Sequence, residues 1–271
     1  MNYRNALGTV GIAVALAATL PAAQAFDESK YPDLRGEWLG TGGNKWPAPA
    51  PLTAEYQAIF EANQRDQQAG GPGDTPTIAC LPPGMPRQMN VYEPMQIVIT
   101  PEMVHILIEH VHDSRRIYTD GRDWPKEMEP MFAGYSIGKW IDQEGSGRYD
   151  LLEVETRGLK GPRTFDSTGI PMAPDNQTVV KERIYQDKAD PNILHNEITT
   201  IDHALTHPWT IMKNYRRTKG NGPIWWREAV CAEDNPHVRV GNEFYMVSAD
   251  GKLMPTRKGQ PPPDLKYFKP K

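Results

Sequence analysis

The sequence predicts an all-β fold: an antiparallel up-and-down barrel, lipocalin-like, of about eight or nine strands, with one N-terminal helix and long Pro-rich arms. Three observations carry this expectation. Short apolar segments recur at close spacing from Leu34 to Arg216, and many alternate in hydropathy as half-buried strands do. Turn chemistry separates them, most clearly in Asp187-Lys188-Ala189-Asp190-Pro191-Asn192. The chain carries 26 Pro and 23 Gly, which suits strands joined by turns. A meander of this size tends to close on itself, and a barrel of about eight strands has room for one small ligand. An open sandwich is the alternative.

The elements follow in order. Residues 1–25 read as a signal peptide. Arg4 gives the positive end, Ala6 to Leu20 the apolar run, and Ala23-Gln24-Ala25 the cleavage site. The run is shorter than the roughly 20 residues that span a bilayer. Cleavage after Ala25 makes Phe26 the first residue of a periplasmic or secreted chain without a transmembrane segment. Residues 26–258 read as one barrel domain, and 259–271, with Pro261, Pro262 and Pro263, as a flexible tail.

Leu34 to Gly40 is the first strand. Thr53 caps a helix that runs to about Gln67, with Tyr56, Ile59 and Phe60 at helical spacing and Glu55 in the first turn. Pro82, Pro83 and Pro86 make Ile78 to Arg87 an extended arm without a regular element, which Cys80 can anchor. Met95–Thr100 and Met103–Val111 form a hairpin, and Ser114–Thr119 a third strand. A crossover carrying Trp124 and Phe132 leads to Tyr135–Ile141, which pairs with Leu151–Arg157. Thr178–Tyr185, Ile193–Ile201 and Trp209–Arg216 finish the array. Beyond Asn221, Trp225, Trp226, Phe244, Tyr245 and Met246 show that part of the tail packs.

Composition excludes some functions. A net charge of -4 without a basic patch argues against nucleic acid as a partner. The chain has no G-x-S-x-G elbow, phosphate loop, H-E-x-x-H or dinucleotide fingerprint. No cofactor is expected. Cys80 and Cys231 are the two cysteines, and in an oxidising compartment they pair.

Two kinds of residue could carry chemistry. One is a polar cluster inside or at the mouth of the barrel. It comprises Tyr118, Asp120 and Arg122, then Glu153, Glu155 and Arg157, then Glu182 and Arg183, then His195 and Glu197, and finally His207. Asp120 or Glu155 would be the base and Tyr118 or His207 the acid. Arg122, Arg157 or Arg183 would hold a ligand's polar end, and Glu182 and Glu197 are further ligand-binding candidates. Trp124, Tyr135, Trp140 and Trp209, with Phe132, Tyr149, Tyr185 and Tyr215, would line the cavity. The competing reading is ordinary charge on solvent-facing strand positions. The other kind is a histidine cluster, His105, His110 and His112. Glu109 and Asp113 fall on the wrong strand face to complete a zinc site, so no metal is expected.

The segments IYTDGR (117–122), GYSIGKW (134–140), LLEVETRG (151–158), VKERIY (180–185), EIT (197–199) and HPWT (207–210) carry a resemblance. In this order they resemble a group of exported bacterial proteins of unknown function that look like lipocalin-type β-barrels. The resemblance runs from about Cys80 to Arg217. It implies the fold and no particular reaction. The chain departs from the group at Asp142–Asp150, where a longer hairpin replaces a compact Gly-Asp turn. These readings point to an exported barrel that binds a small, largely apolar or aromatic molecule. The alternatives are a cofactor-independent lyase, isomerase or hydrolase acting on such a molecule, and an envelope-assembly partner.

Overall fold

Residues 26–43, 45–90, 93–109, 111–218, 226, 230–231, 235–241 and 243–263 are described by a computed structural model, 111–113 by backbone alone. Nine strands close into a barrel: β1 (Glu37–Gly40), β2 (Met95–Ile99), β3 (Met103–Ile108), β4 (Val111–Tyr118), β5 (Tyr135–Ile141), β6 (Leu151–Arg157), β7 (Val179–Gln186), β8 (Ile193–Ile201) and β9 (Trp209–Arg217). They neighbour one another in chain order, and β1 pairs with β9 to seal the ring. Alternation explains the barrel. On β8, Leu194, Asn196, Ile198 and Thr200 are buried while the residues between them are not. On β7 the inward set is Val180, Glu182 and Ile184. A period of two puts these sets on one face of the sheet, and closure turns that face inward.

One pair departs from the up-and-down expectation. β4 and β5 run parallel, with Ile117 opposite Ser136 and Tyr118 opposite Ile137. A parallel pair needs a long crossover rather than a tight turn, and residues 119–134 supply it. The other neighbours in the ring are antiparallel.

The two ends of the barrel are covered differently. At one end lie α1 (Ala54–Gln68) and the long connections 41–94, 158–178 and 202–208. Thr53 caps α1 by accepting a hydrogen bond from the Tyr56 amide, as its position before the helix predicts. The helix is largely polar and docks through few contacts: Asn63 donates to the Gly169 carbonyl at 2.9 Å, and the Thr53 amide to that of Ala204 at 2.9 Å. Beneath it the Trp209 ring meets Phe165 at 5.2 Å and Trp46 at 5.9 Å. Met85, Met89, Ile170, Met172 and Leu205 fill around them. At the other end the arm 26–36 crosses toward β2 and the β5–β6 hairpin.

The Pro-rich arm contains two single turns of 3-10 helix, Pro76–Ala79 and Arg87–Asn90, where no regular element is expected. Pro76 sits at the first turn position, where its missing N–H costs nothing. Cys80 follows in the left-handed conformation and is bonded to Cys231, with Cα atoms 5.6 Å apart. A second sheet, β10 (His237–Val240), β11 (Glu243–Val247) and β12 (Leu253–Pro255), lies beyond the barrel. Adjacent Phe244 and Tyr245 are both buried, so this small sheet is covered on both faces. The Tyr245 hydroxyl donates to the Pro261 carbonyl at 2.9 Å, which ties down the first part of the tail. Residues 264–271 lie outside the described residues.

Candidate functional site

Three places gather chemistry. The first is the centre of the barrel. Arg115 on β4 and Glu182 on β7 form an ion pair with side chains 1% and 0% exposed. Arg115 Nη1 donates to Glu182 Oε1 at 3.0 Å, and Nη2 binds Oε2 and donates to Thr156 Oγ1 at 3.1 Å. Asn196 adds a donor to Glu182 Oε1 at 2.9 Å, and Ser136 and Thr156 bond each other at 2.8 Å. Tyr215 donates its hydroxyl proton to the Met89 carbonyl at 2.5 Å. Burial, and then the Glu182 charge, push this phenol well above its ordinary range, while Asn196 and Arg115 pull it part of the way back. Charges so sealed need partners, and these polar residues come from β4 to β9 around the ring, although Arg115 Nε and Asn196 Oδ1 are left without one.

The second place is a ladder on the outside of the barrel. The Arg122 guanidinium lies 3.9 Å over the Tyr118 ring, Tyr118 stacks on Tyr135 at 4.9 Å, and Trp124 meets Tyr135 at 6.1 Å. Arg157 then covers Trp124 at 4.4 Å and donates to Glu155 at 2.6 Å, and Lys181 reaches Glu155 at 3.5 Å. Asp120 grips Arg122 with both oxygens. This grip holds the Asp120 carboxyl below its usual range and, with Tyr135, raises that of Arg122.

The third place is a cleft of about 420 Å³ between the N-terminal arm and β2. Phe26, Tyr31, Pro32 and Leu34 face Ile97, Val98 and Ile99 across it. Glu28, Asp33, Arg35 and Arg148 are its charged lining residues. The aromatic wall is braced. Tyr31 packs on Phe26 at 5.0 Å, on Tyr149 at 5.2 Å and edge-on to Trp140 at 5.3 Å. The Tyr149 amide donates to the Lys30 carbonyl at 2.7 Å, so the β5–β6 hairpin clasps the arm. Trp38 Nε1 holds the Leu34 carbonyl at 2.9 Å, and Arg217 binds those of Asp33 and Arg35.

The expected site residues are distributed among these places. Tyr118, Asp120, Arg122, Trp124, Tyr135, Glu155 and Arg157 do come together, but outside the barrel and not around its hollow. The reason is the pleat. Arg115 and Ile117 take the inner face of β4, and Leu152, Val154 and Thr156 that of β6, which turns Tyr118, Glu155 and Arg157 outward. Arg183 and Glu197 are also outward, Arg183 lying 3.6 Å from Glu153. His207 is exposed and bonded to Thr206. It lies in the 202–208 connection at the α1 end of the barrel, whereas Asp120 follows β4 at the opposite end, so the two do not form an acid–base pair. Glu182 and Trp209 do point inward, and Trp140 sits half-buried against the core.

The inner partners Arg115, Ser136, Thr156 and Asn196 were not singled out from sequence. A signal existed: Arg115 and Arg116 are adjacent on a strand, so one of them must face in, and Ile117 fixes which. Of the histidine cluster, His110 and the side chain of His112 lie outside the described residues. Among the described residues no three His, Cys, Asp or Glu side chains are placed to hold a metal. No helix among them is long and apolar enough to cross a membrane.

Fold and sites together define a closed β-barrel protein with a sealed ion pair at its centre and an apolar cleft under its N-terminal arm. No protein-family model matches the chain, and no curated protein sequence does.

Proposed function

We propose that this is an exported protein that binds a small, largely apolar or aromatic molecule, and that the cleft between the arm and β2 is where it does so. The observation that carries the reading is the cleft itself. Its volume of about 420 Å³ falls within the range of small-molecule sites, and its walls combine two aromatic and several aliphatic side chains with a few polar groups. Val98 in its floor is 45% exposed, which leaves an apolar surface open beside Phe26 and Tyr31. The disulfide and the character of residues 1–25 support export to an oxidising compartment. Acid–base catalysis has less in its favour, because both oxygens of Asp120 are engaged by Arg122 and those of Glu155 by Arg157 and Lys181.

Titration with the neutral fluorophore N-phenyl-1-naphthylamine tests the reading. Saturable binding with one site per chain is expected, and Val98→Asp should weaken it tenfold or more without changing the melting temperature. Absence of saturable binding, or affinity indifferent to Val98→Asp, sinks the assignment.

A further inference from the structure

The two arginines of the cleft lining are not equivalent, and the unpaired one names a ligand class. Asp33 binds Arg35 at 2.7 Å and lies 3.6 Å from Arg217. Glu28 is within electrostatic reach of Arg35, and with Asp33 helps keep that guanidinium charged. Arg35 is thus paired with Asp33, and Arg217, which does not line the cleft, stands behind that pair. Arg148 is left over: among the described residues its guanidinium makes no ion pair and no side-chain hydrogen bond, yet it lines the cleft.

Its position is not accidental to a loose loop. The Asp142 carboxylate gathers the amides of Ser146 at 3.0 Å and Gly147 at 2.7 Å, and Asp150 takes that of Gln143 at 3.0 Å. The neighbouring Tyr149 is hydrogen-bonded to the arm and packed on Tyr31 and, at 6.3 Å, on Trp140. The hairpin is thus folded against the arm, with an unpartnered cation beside apolar walls.

We infer that the cleft selects amphipathic organic anions, with Arg148 taking a carboxylate or sulfonate head while Phe26, Tyr31, Val98 and Ile99 hold a hydrocarbon or aromatic body. The inference rests on the cleft being the binding site. A guanidinium at a partly apolar wall suits this role, because it is weakly hydrated and offers planar paired donors to a carboxylate. A neutral molecule would leave that charge unused, and a cation would meet it unfavourably.

Calorimetric titration with three ten-carbon probes, decanoate, 1-decanol and decyltrimethylammonium, separates the possibilities. Decanoate should bind at least tenfold more tightly than 1-decanol, and the cationic probe most weakly. Arg148→Gln should erase the advantage of decanoate over 1-decanol. Because Arg148 is exposed, this substitution should not disturb folding, which the melting temperature verifies. Equal binding of decanoate and 1-decanol, a preference that survives Arg148→Gln, or tighter binding of the cation overturns the anion assignment while leaving the cleft as a site. Failure of all three probes to bind strikes the cleft reading itself.

Discussion

Glu182 shows how far a single residue's environment can depart from its sequence signal. In sequence it is one charge among several on β7. In the structure it accepts from Arg115 and Asn196 in the barrel's interior. Removing one partner of such a pair strands the other charge, which costs about 3–5 kcal/mol, whereas replacing both by apolar groups is often nearly neutral. Glu182→Leu should therefore lower urea-unfolding stability by that amount, and Arg115→Leu/Glu182→Leu should recover most of it. A double variant as unstable as the two single losses added would show that the pair is not coupled. Tyr215 gives a pH test. Its folded-state pKa is raised above the unfolded value of about 10. The stability it contributes is therefore complete below pH 10 and is lost as pH climbs through the folded value. Tyrosinate absorbance should show this phenol ionising only as the barrel unfolds. Tyr215→Phe should start less stable, by about 1–3 kcal/mol for the stranded Met89 carbonyl, but decline less steeply above pH 10. Alternation made Glu182's inward position readable. Its partner was not, because that depends on which strands become neighbours across the ring.

Elements were more legible than residues. Most strands of the barrel and α1 fall close to their expected bounds because each carries a strong periodic pattern or a cap, but Val111, expected to end β3, opens β4, and β1 starts at Glu37 rather than Leu34. β10 to β12 were not read as strands, being short and stabilised by contacts rather than by their own pattern. The β4–β5 pair was expected to belong to a meander, yet it runs parallel. The crossover that permits this is fixed to the outside by the Arg122–Tyr118–Tyr135–Trp124–Arg157 ladder. Trp124→Ala removes an aromatic contact and a cation–π contact, together about 1–3 kcal/mol. Hydrogen exchange should then speed up in residues 119–134 while β6 to β9 remain protected; uniform loss of protection would show that the ladder is no local clamp. At Gly138 side chains from β4 and β6 crowd the inner face of β5. A Cβ there would lie 2.6 Å from Ile117 Cγ2 and 3.1 Å from Leu152 Cδ1. Gly138→Ala should cost about 1–3 kcal/mol by overpacking, whereas Lys139→Ala, pointing outward on the same strand, should change stability by less than about 0.5 kcal/mol. Equal effects of the two would contradict the inward placement of Gly138.

At the scale of the molecule, the cleft was the least legible feature. Its walls come from the arm, β2 and the β5–β6 hairpin, and no local pattern announces that three such distant segments meet. The disulfide was legible, because the chain has two cysteines, which leaves one possible pairing. Its consequence is geometric. It joins the Pro-rich arm to the segment before β10 across a sequence separation of 151. Around it Asn235 binds the Ile78 carbonyl and donates to Cys80 Sγ at 3.0 Å, so the second sheet is fastened to the arm at this point. A bridge closing so long a loop restricts the unfolded chain by about 4–5 kcal/mol in the entropic account. The barrel does not need the bridge to close, since β1 and β9 seal it by hydrogen bonds of their own. Cys80→Ser/Cys231→Ser should therefore lower the denaturation midpoint and also divide the molecule. Amides of β10 to β12 should exchange early, while those of β6 to β9 keep protection until global unfolding. Simultaneous exchange of both sheets in the variant would mean that the second sheet is held to the barrel by packing alone, with the disulfide contributing only through the unfolded state.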